Sequence, residues 1–143
     1  MATVFTRIIQ GELPGRFVWR DQRCVAFLTV NPLKPGHTLV VPIEEVDHWL
    51  DCPPDLLHHL VEVSRTIGLA LERAYEPEKV ALLVAGLEVQ HLHFHVAPIW
   101  SVRDTDFARA EVDPDPAALD EAQAAILGAL SEMGHAQPTG EPG

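Results

Sequence analysis

Three features of this 143-residue chain predict an α+β fold, an antiparallel sheet with helices packed on it. Short apolar segments of strand length are joined by connections short enough for hairpins. Two longer segments repeat their apolar residues at three and four. Strands and helices also fail to alternate in the way a parallel βαβ array requires. Hydrophobic residues make up 47% of the chain and charged residues 22%, with a mean hydropathy of +0.06, the composition of a soluble globular domain. The length predicts one domain, expected over residues 1–136, with residues 137–143, rich in Pro and Gly, as a flexible tail.

Val4, Phe5, Ile8 and Ile9 fall at helical spacing, and Gly11, Pro14 and Gly15 end that segment in a turn. Phe17 to Arg20 and Cys24 to Val30 follow as two strands. The polar Asp21, Gln22 and Arg23 between them predict a hairpin. After a turn through Asn31, Pro32, Pro35 and Gly36, the run from His37 to Pro42 is β-branched and apolar enough for a buried strand. Pro53 and Pro54 mark a helix start, because proline costs nothing in a first turn whose N–H groups have no partner. Leu56, Leu60, Val63, Ile67, Leu71 and Ala74 then make one apolar stripe of a helix of about 20 residues. Lys79 to Ala85 is expected as a strand buried on both faces, and His91 to Ile99 as an alternating strand. Asp115 as N-cap, Pro116 as first residue and Gly134 as stop frame a last helix with Leu119, Ile126, Leu130 and Met133 on its inner face.

Composition narrows the partners. Ten basic and 21 acidic side chains give a formal charge of −11, which repels the phosphate backbone that dominates nucleic-acid affinity, so no nucleic-acid partner is expected. The segment from Ser101 to Gly143 holds nine of the acids and two arginines, so an anionic ligand is better accommodated by the first hundred residues. No apolar run reaches the ~18 residues of a bilayer span, so no membrane partner is expected. The opening MATVFTRIIQGELPG, broken by Thr6, Arg7, Gln10 and Glu12, lacks a signal-peptide core, and a cytoplasmic location is expected. Cys24 and Cys52 lie outside any CxxC or zinc-knuckle spacing and are expected as buried core thiols. No cofactor is expected.

The chemistry concentrates in histidine. His91, His93 and His95 occupy every second position of the last strand, which predicts that their imidazoles leave one face while Leu92, Phe94 and Val96 enter the other. Three readings stand. A neutral imidazole is a good nucleophile and leaving group near pH 7 and can carry a phosphoryl or nucleotidyl group, with its neighbours supplying a proton or hydrogen bonds to phosphate oxygens. Alternate histidines can also chelate a metal with a third donor, or the row can be a merely polar sheet face. His37, after Gly36 and at the head of a strand, is placed to reach a site beside the sheet. His48, His58, His59 and His135 are expected to face solvent.

The run His91, Leu92, His93, Phe94, His95, Val96 resembles the histidine triad (HIT) superfamily of nucleotide hydrolases and transferases. The likeness extends upstream through Phe5 to Pro14, Val25 to Phe27, and Asn31, Pro32, Pro35 and Gly36 to Pro42. It implies a five-stranded antiparallel sheet with two main helices, and a homodimer with a continuous sheet. It also implies that His93 attacks the α-phosphorus of a nucleoside phosphate such as adenosine phosphoramidate or a dinucleoside polyphosphate, forming a nucleotidyl-histidine that water hydrolyses. On the same resemblance His95 contacts the phosphate and the leaving atom, while His91 and His37 orient the row. The resemblance further implies a purine nucleotide pocket at Val4, Phe5, Ile8, Phe27, Thr29 and Val30, in which Thr29 stands where many relatives have an acid or amide. Glu88 stands where some relatives have a serine, and Glu88 or Val89 is expected to offer backbone N–H. Trp100 is a candidate stacking wall in the segment Ile99 to Phe107, which borders the leaving group. Some relatives hold structural zinc at the positions of Thr3, Thr6, Glu45 and His91, and these residue types argue against it here. The alternative function is a nucleotide-binding or sensing dimer with little catalysis.

Overall fold

A computed structural model describes residues 2–138. The elements are α1 (Val4–Ile9), β1 (Phe17–Arg20), β2 (Cys24–Leu28), β3 (Thr38–Pro42), α2 (Pro54–Tyr75), β4 (Lys79–Leu83), β5 (Phe94–Ile99) and α3 (Pro116–Glu132). The strands form one sheet in the order β1-β2-β3-β5-β4, every neighbouring pair antiparallel, so the α+β class is observed. The β1–β2 hairpin closes on Asp21, whose Oδ1 accepts from the backbone N–H of Arg23 at 2.7 Å and of Cys24 at 2.9 Å, the Asx-type turn chemistry that pulls this residue out of the ladder.

The two faces of the sheet are covered unequally. Ala26, Leu28, Val40, Phe94 and Val96 face α2 and α3 and pack with Leu60, Ile67, Leu71, Ile126 and Leu130. At about 1.5–3 kcal/mol for each large aliphatic side chain taken from water, this layer is the main source of stability. The alternate residues Val25, Phe27, Leu39 and Val41 turn to the opposite face, where the six-residue α1 covers them with Phe5 and Ile9. A helix this short cannot close that face, so a pocket remains beside it. Gly36 turns the chain into β3 at φ +96°, and a Cβ there would lie 2.6 Å from Tyr75 Cε2, so the turn needs glycine for both conformation and space.

Four expectations are corrected. β2 ends at Leu28 and β3 begins at Thr38, because Thr29 Oγ1 accepts from Asn31 N–H and starts the turn early. β4 stops at Leu83 and is not buried on both faces: it is the outermost strand, with Leu82 50% exposed. The last strand begins at Phe94, so His91 and His93 precede the ladder. His59 and His135 are half-buried: His59 pairs with Asp21 Oδ2 at 2.8 Å, and the His135 ring meets Trp19 edge-on at 5.3 Å. Both cysteines are buried and free. Among the described residues no helix is long and apolar enough to cross a membrane. The proposed tail lies largely outside the described residues; within them, Gln137 donates from Nε2 to the Leu127 carbonyl at 3.3 Å.

Candidate active site

The four singled-out histidines come together beside the α1-side pocket. β5 carries His95 opposite Leu39 of β3, His37 lies one residue before β3, and the extended chain before β5 supplies His91 and His93. His37 is 2% exposed, His91 0% and His93 6%. Burial is the leading cause that lowers the pKa of all four, to about 3 for His37 and about 4 for His95. The proximity of the other imidazoles adds to the effect at His37 and His95. All four rings are therefore neutral at pH 7, and a neutral imidazole has one donor and one acceptor nitrogen.

The main chain decides which nitrogen is which. His93 Nδ1 lies 2.7 Å from the His91 carbonyl oxygen. A carbonyl only accepts, so Nδ1 carries the proton and Nε2 keeps its lone pair. In the other branch Leu33 N–H donates to His37 Nδ1 at 3.0 Å, which places the His37 proton on Nε2. That nitrogen is 3.0 Å from His95 Nδ1, so His95 accepts there and carries its own proton on Nε2. Two neighbouring rings, with centroids 4.9 Å apart, thus present opposite functions: a lone pair on His93 and an N–H on His95. Phe5 meets the His93 ring edge-on at 5.0 Å, and Phe107 meets His95 in the same way at 4.8 Å.

His93 and His95 line a pocket of about 630 Å³ together with all eight residues expected to bind substrate: Val4, Phe5, Ile8, Phe27, Thr29, Val30, Glu88 and Val89. Its walls are aliphatic and aromatic with a few polar groups, a form suited to a flat heteroaromatic ring. His37 and His91 stand behind the wall, as partners of the lining histidines. A model of the HIT domain matches residues 10–100.

The chain belongs to the HIT family. An uncharacterized HIT-like protein of Saccharolobus solfataricus is 35% identical over 111 residues, covering 74% of this chain and 79% of the relative. The crystal structure of a hypothetical histidine triad nucleotide-binding protein from Sulfolobus tokodaii aligns with a TM-score of 0.80 at 28% identity, over 90% of this chain and 92% of that one. A zinc-bound histidine triad family protein from Mycobacterium smegmatis shares the fold, with a TM-score of 0.80 at 24% identity over 93% and 96% of the two chains. The five-stranded antiparallel sheet with its helices is the HIT fold, and the family is one of nucleotide-binding hydrolases and transferases.

In this HIT chain the candidate zinc positions do come together, as a hydrogen-bonded cluster. Thr3 N–H donates to Glu45 Oε2 at 3.3 Å, and Thr3 Oγ1 lies 3.3 Å from Thr6 Oγ1 and 2.6 Å from His91 Nδ1. His91 Nε2 donates to the Pro42 carbonyl at 2.8 Å. Two neutral hydroxyls and one carboxylate, beside a histidine with both ring nitrogens engaged, do not fit zinc, which takes thiolate, imidazole and carboxylate.

Several site residues escaped the sequence reading. Trp100 does not line the pocket; Phe107, further along the segment expected to border the leaving group, packs on His95. Arg16 and Asp120 also line the pocket, joined at 2.9 Å from Nε to Oδ1. The pair brings α3 to the site, and no local spacing could have announced a contact across 104 positions.

Proposed function

We propose that this protein hydrolyses or transfers the nucleotidyl group of small purine nucleoside phosphates, adenosine phosphoramidate or a dinucleoside polyphosphate, through a covalent nucleotidyl-histidine on His93. One observation carries this reading. The His93 Nδ1–H bond to the His91 carbonyl leaves the Nε2 lone pair of a neutral, fixed imidazole on a residue that lines an apolar pocket. In the proposed step Nε2 attacks the α-phosphorus, and the P–N or P–O bond to the leaving group breaks with its electron pair on the leaving atom. His95 Nε2–H donates a hydrogen bond to that atom or to a phosphate oxygen. A polyphosphate departs as the anion, and an amine takes its proton from water. Water then attacks the phosphorus and releases one of its protons to solvent, while the P–Nε2 bond breaks with its electron pair on Nε2 and restores neutral His93. Val4, Phe5, Ile8 and Phe27 enclose the base, Thr29 and Val30 flank the sugar, and Glu88 and Val89 edge the phosphate side.

The deciding experiment incubates wild-type protein and His93→Ala with adenosine phosphoramidate and with a dinucleoside tetraphosphate, quenches at short times and weighs the intact protein. The expected result is a nucleotidyl adduct and turnover in the wild type and neither in the variant. Equal turnover by both refutes the nucleophile. Binding of AMP without turnover by the wild type favours the sensing alternative.

The same reading includes a two-fold dimer. Its support is the outer edge of β4, whose ladder groups have no neighbouring strand among the described residues. Exposed Leu82 lies there beside Val61 and Leu69 of α2 along a groove of about 340 Å³, and such an edge is a template for strand pairing.

A further inference from the structure

The nucleophile depends on a carbonyl that the sheet does not hold. The β3–β5 ladder pairs Thr38 with Val96, Leu39 with His95 and Val40 with Phe94, and goes no further. The His91 peptide, which sets the His93 tautomer, therefore lies beyond the last ladder pair. Two anchors hold it. Leu92 N–H donates to the Val46 carbonyl at 2.7 Å. The His91 ring is clamped at both nitrogens, by Pro42 O at 2.8 Å and by Thr3 Oγ1 at 2.6 Å.

The direction of the Thr3 contact is fixed. A carbonyl accepts from His91 Nε2, so the neutral ring has its lone pair on Nδ1, and the single hydroxyl proton of Thr3 points at it. The lone pairs of the same oxygen accept Thr6 N–H at 3.1 Å, the N-cap bond of α1. One hydroxyl thus joins the helix that walls the base pocket to the ring that positions the nucleophile. Phe5, in the first turn of that helix, packs edge-on against both His91 and His93.

We infer that Thr3 is a positioning residue for His93: its hydroxyl clamps His91, and through the His91 carbonyl it holds His93 in the tautomer with a free Nε2. For turnover this inference rests on the proposed nucleotidyl transfer, whereas its structural content can be read without substrate. Removal of one hydrogen bond of this kind is expected to lower the nucleotidyl-transfer rate about tenfold, the effect of roughly 1.4 kcal/mol.

The test must separate the clamp from the helix cap. Glycine caps helices nearly as well as threonine, so Thr3→Gly keeps α1 and removes the donor, while Thr3→Ser keeps both. Imidazole nitrogen NMR on the full-length protein reports each tautomer. In the wild type and in Thr3→Ser the expected spectrum has the His93 proton on Nδ1 and a hydrogen-bonded, pyridine-type Nδ1 at His91. In Thr3→Gly the His91 Nδ1 signal moves toward that of a free pyridine-type nitrogen, and His93 shows a mixture of tautomers. With adenosine phosphoramidate, kcat falls about tenfold in Thr3→Gly while KM stays within about twofold, and Thr3→Ser restores the wild-type rate. Unchanged His93 signals in Thr3→Gly, or a loss confined to KM, overturn the inference. A wild type without turnover overturns the proposed function instead, and the nitrogen spectra still decide the clamp.

Discussion

Acid destabilises this protein in a window set by its buried imidazoles. His37 and His95 are held neutral in the folded state down to about pH 3 and about pH 4, because burial disfavours their charged forms. Unfolded, each takes up a proton near pH 6.5. Between pH 6.5 and 4 the unfolded chain therefore binds more protons than the native one, and stability falls as pH falls, by about 1.4 kcal/mol per unit for each such group. With two groups the loss is about 2–3 kcal/mol over the unit from pH 5.5 to 4.5, a large part of the 5–15 kcal/mol typical of a domain. The measurement is urea unfolding at half-unit steps from pH 7 to 4. The matched control is His37→Gln, whose amide oxygen can accept Leu33 N–H and whose amide nitrogen can donate to His95 Nδ1 while adding no titrating group. The slope in the control is expected to drop by about 1.4 kcal/mol per unit. A flat stability profile from pH 6.5 to 4, or equal slopes in the two proteins, would refute the assignment of neutral buried histidines.

Three further outcomes follow from contacts elsewhere. Gly36→Ala puts a Cβ 2.6 Å from the Tyr75 ring at a positive φ and is expected to cost more than about 2 kcal/mol, read as a shift of the urea midpoint. Phe107→Ala removes the edge-on partner of His95, a contact of about 0.5–1.5 kcal/mol, so kcat should fall about threefold to tenfold; an unchanged kcat would place Phe107 outside the site. Leu82→Lys charges the outer edge of β4, and light scattering is expected to show the proposed dimer for the wild type and a monomer for the variant; a wild type that is itself monomeric refutes the dimer.

How much was legible depended on the range of the interaction. The long helix was visible because Leu56, Leu60, Val63, Ile67 and Leu71 fall on one stripe, and all five are buried as that stripe requires. The apolar segments located all five strands and both ends of β1, but misplaced one end of each of the other four, since the apolar run of a segment does not mark where its ladder stops. The β3–β5 ladder ends at the Val40–Phe94 pair although β3 itself runs on to Pro42, so β5 begins at Phe94 even though His91 and His93 continue the alternation of the strand. β4 reads as apolar enough for a central strand and is found at the edge, because strand order is set by topology and apolar pattern alone does not specify it. Thr3 was visible only as a residue unsuited to hold zinc. Its hydroxyl contact with a ring 88 positions away has no periodicity to betray it.

The division of labour between His93 and His95 belongs to this second class, and it explains how two identical side chains can act in opposite senses. Neither their spacing nor their lowered pKa distinguishes a lone pair from an N–H, since both rings are neutral. The distinction enters from two main-chain groups of fixed polarity. The His91 carbonyl accepts and therefore exposes the lone pair of His93. The Leu33 amide donates, and His37 relays that polarity so that His95 presents a proton. Each neutral ring passes on the polarity it receives, so the opposite senses at His95 and His93 come from the opposite polarities of the Leu33 amide and the His91 carbonyl. Protonating His95 at Nδ1 would set its new N–H against that of His37, and His37 cannot turn its proton toward Nδ1 without opposing the Leu33 amide. His95 is thus held as a neutral hydrogen-bond donor while the His91 carbonyl leaves the lone pair on His93 Nε2, and imidazoles with no formal charge still present opposite polarities side by side, the arrangement that the proposed attack on phosphorus requires.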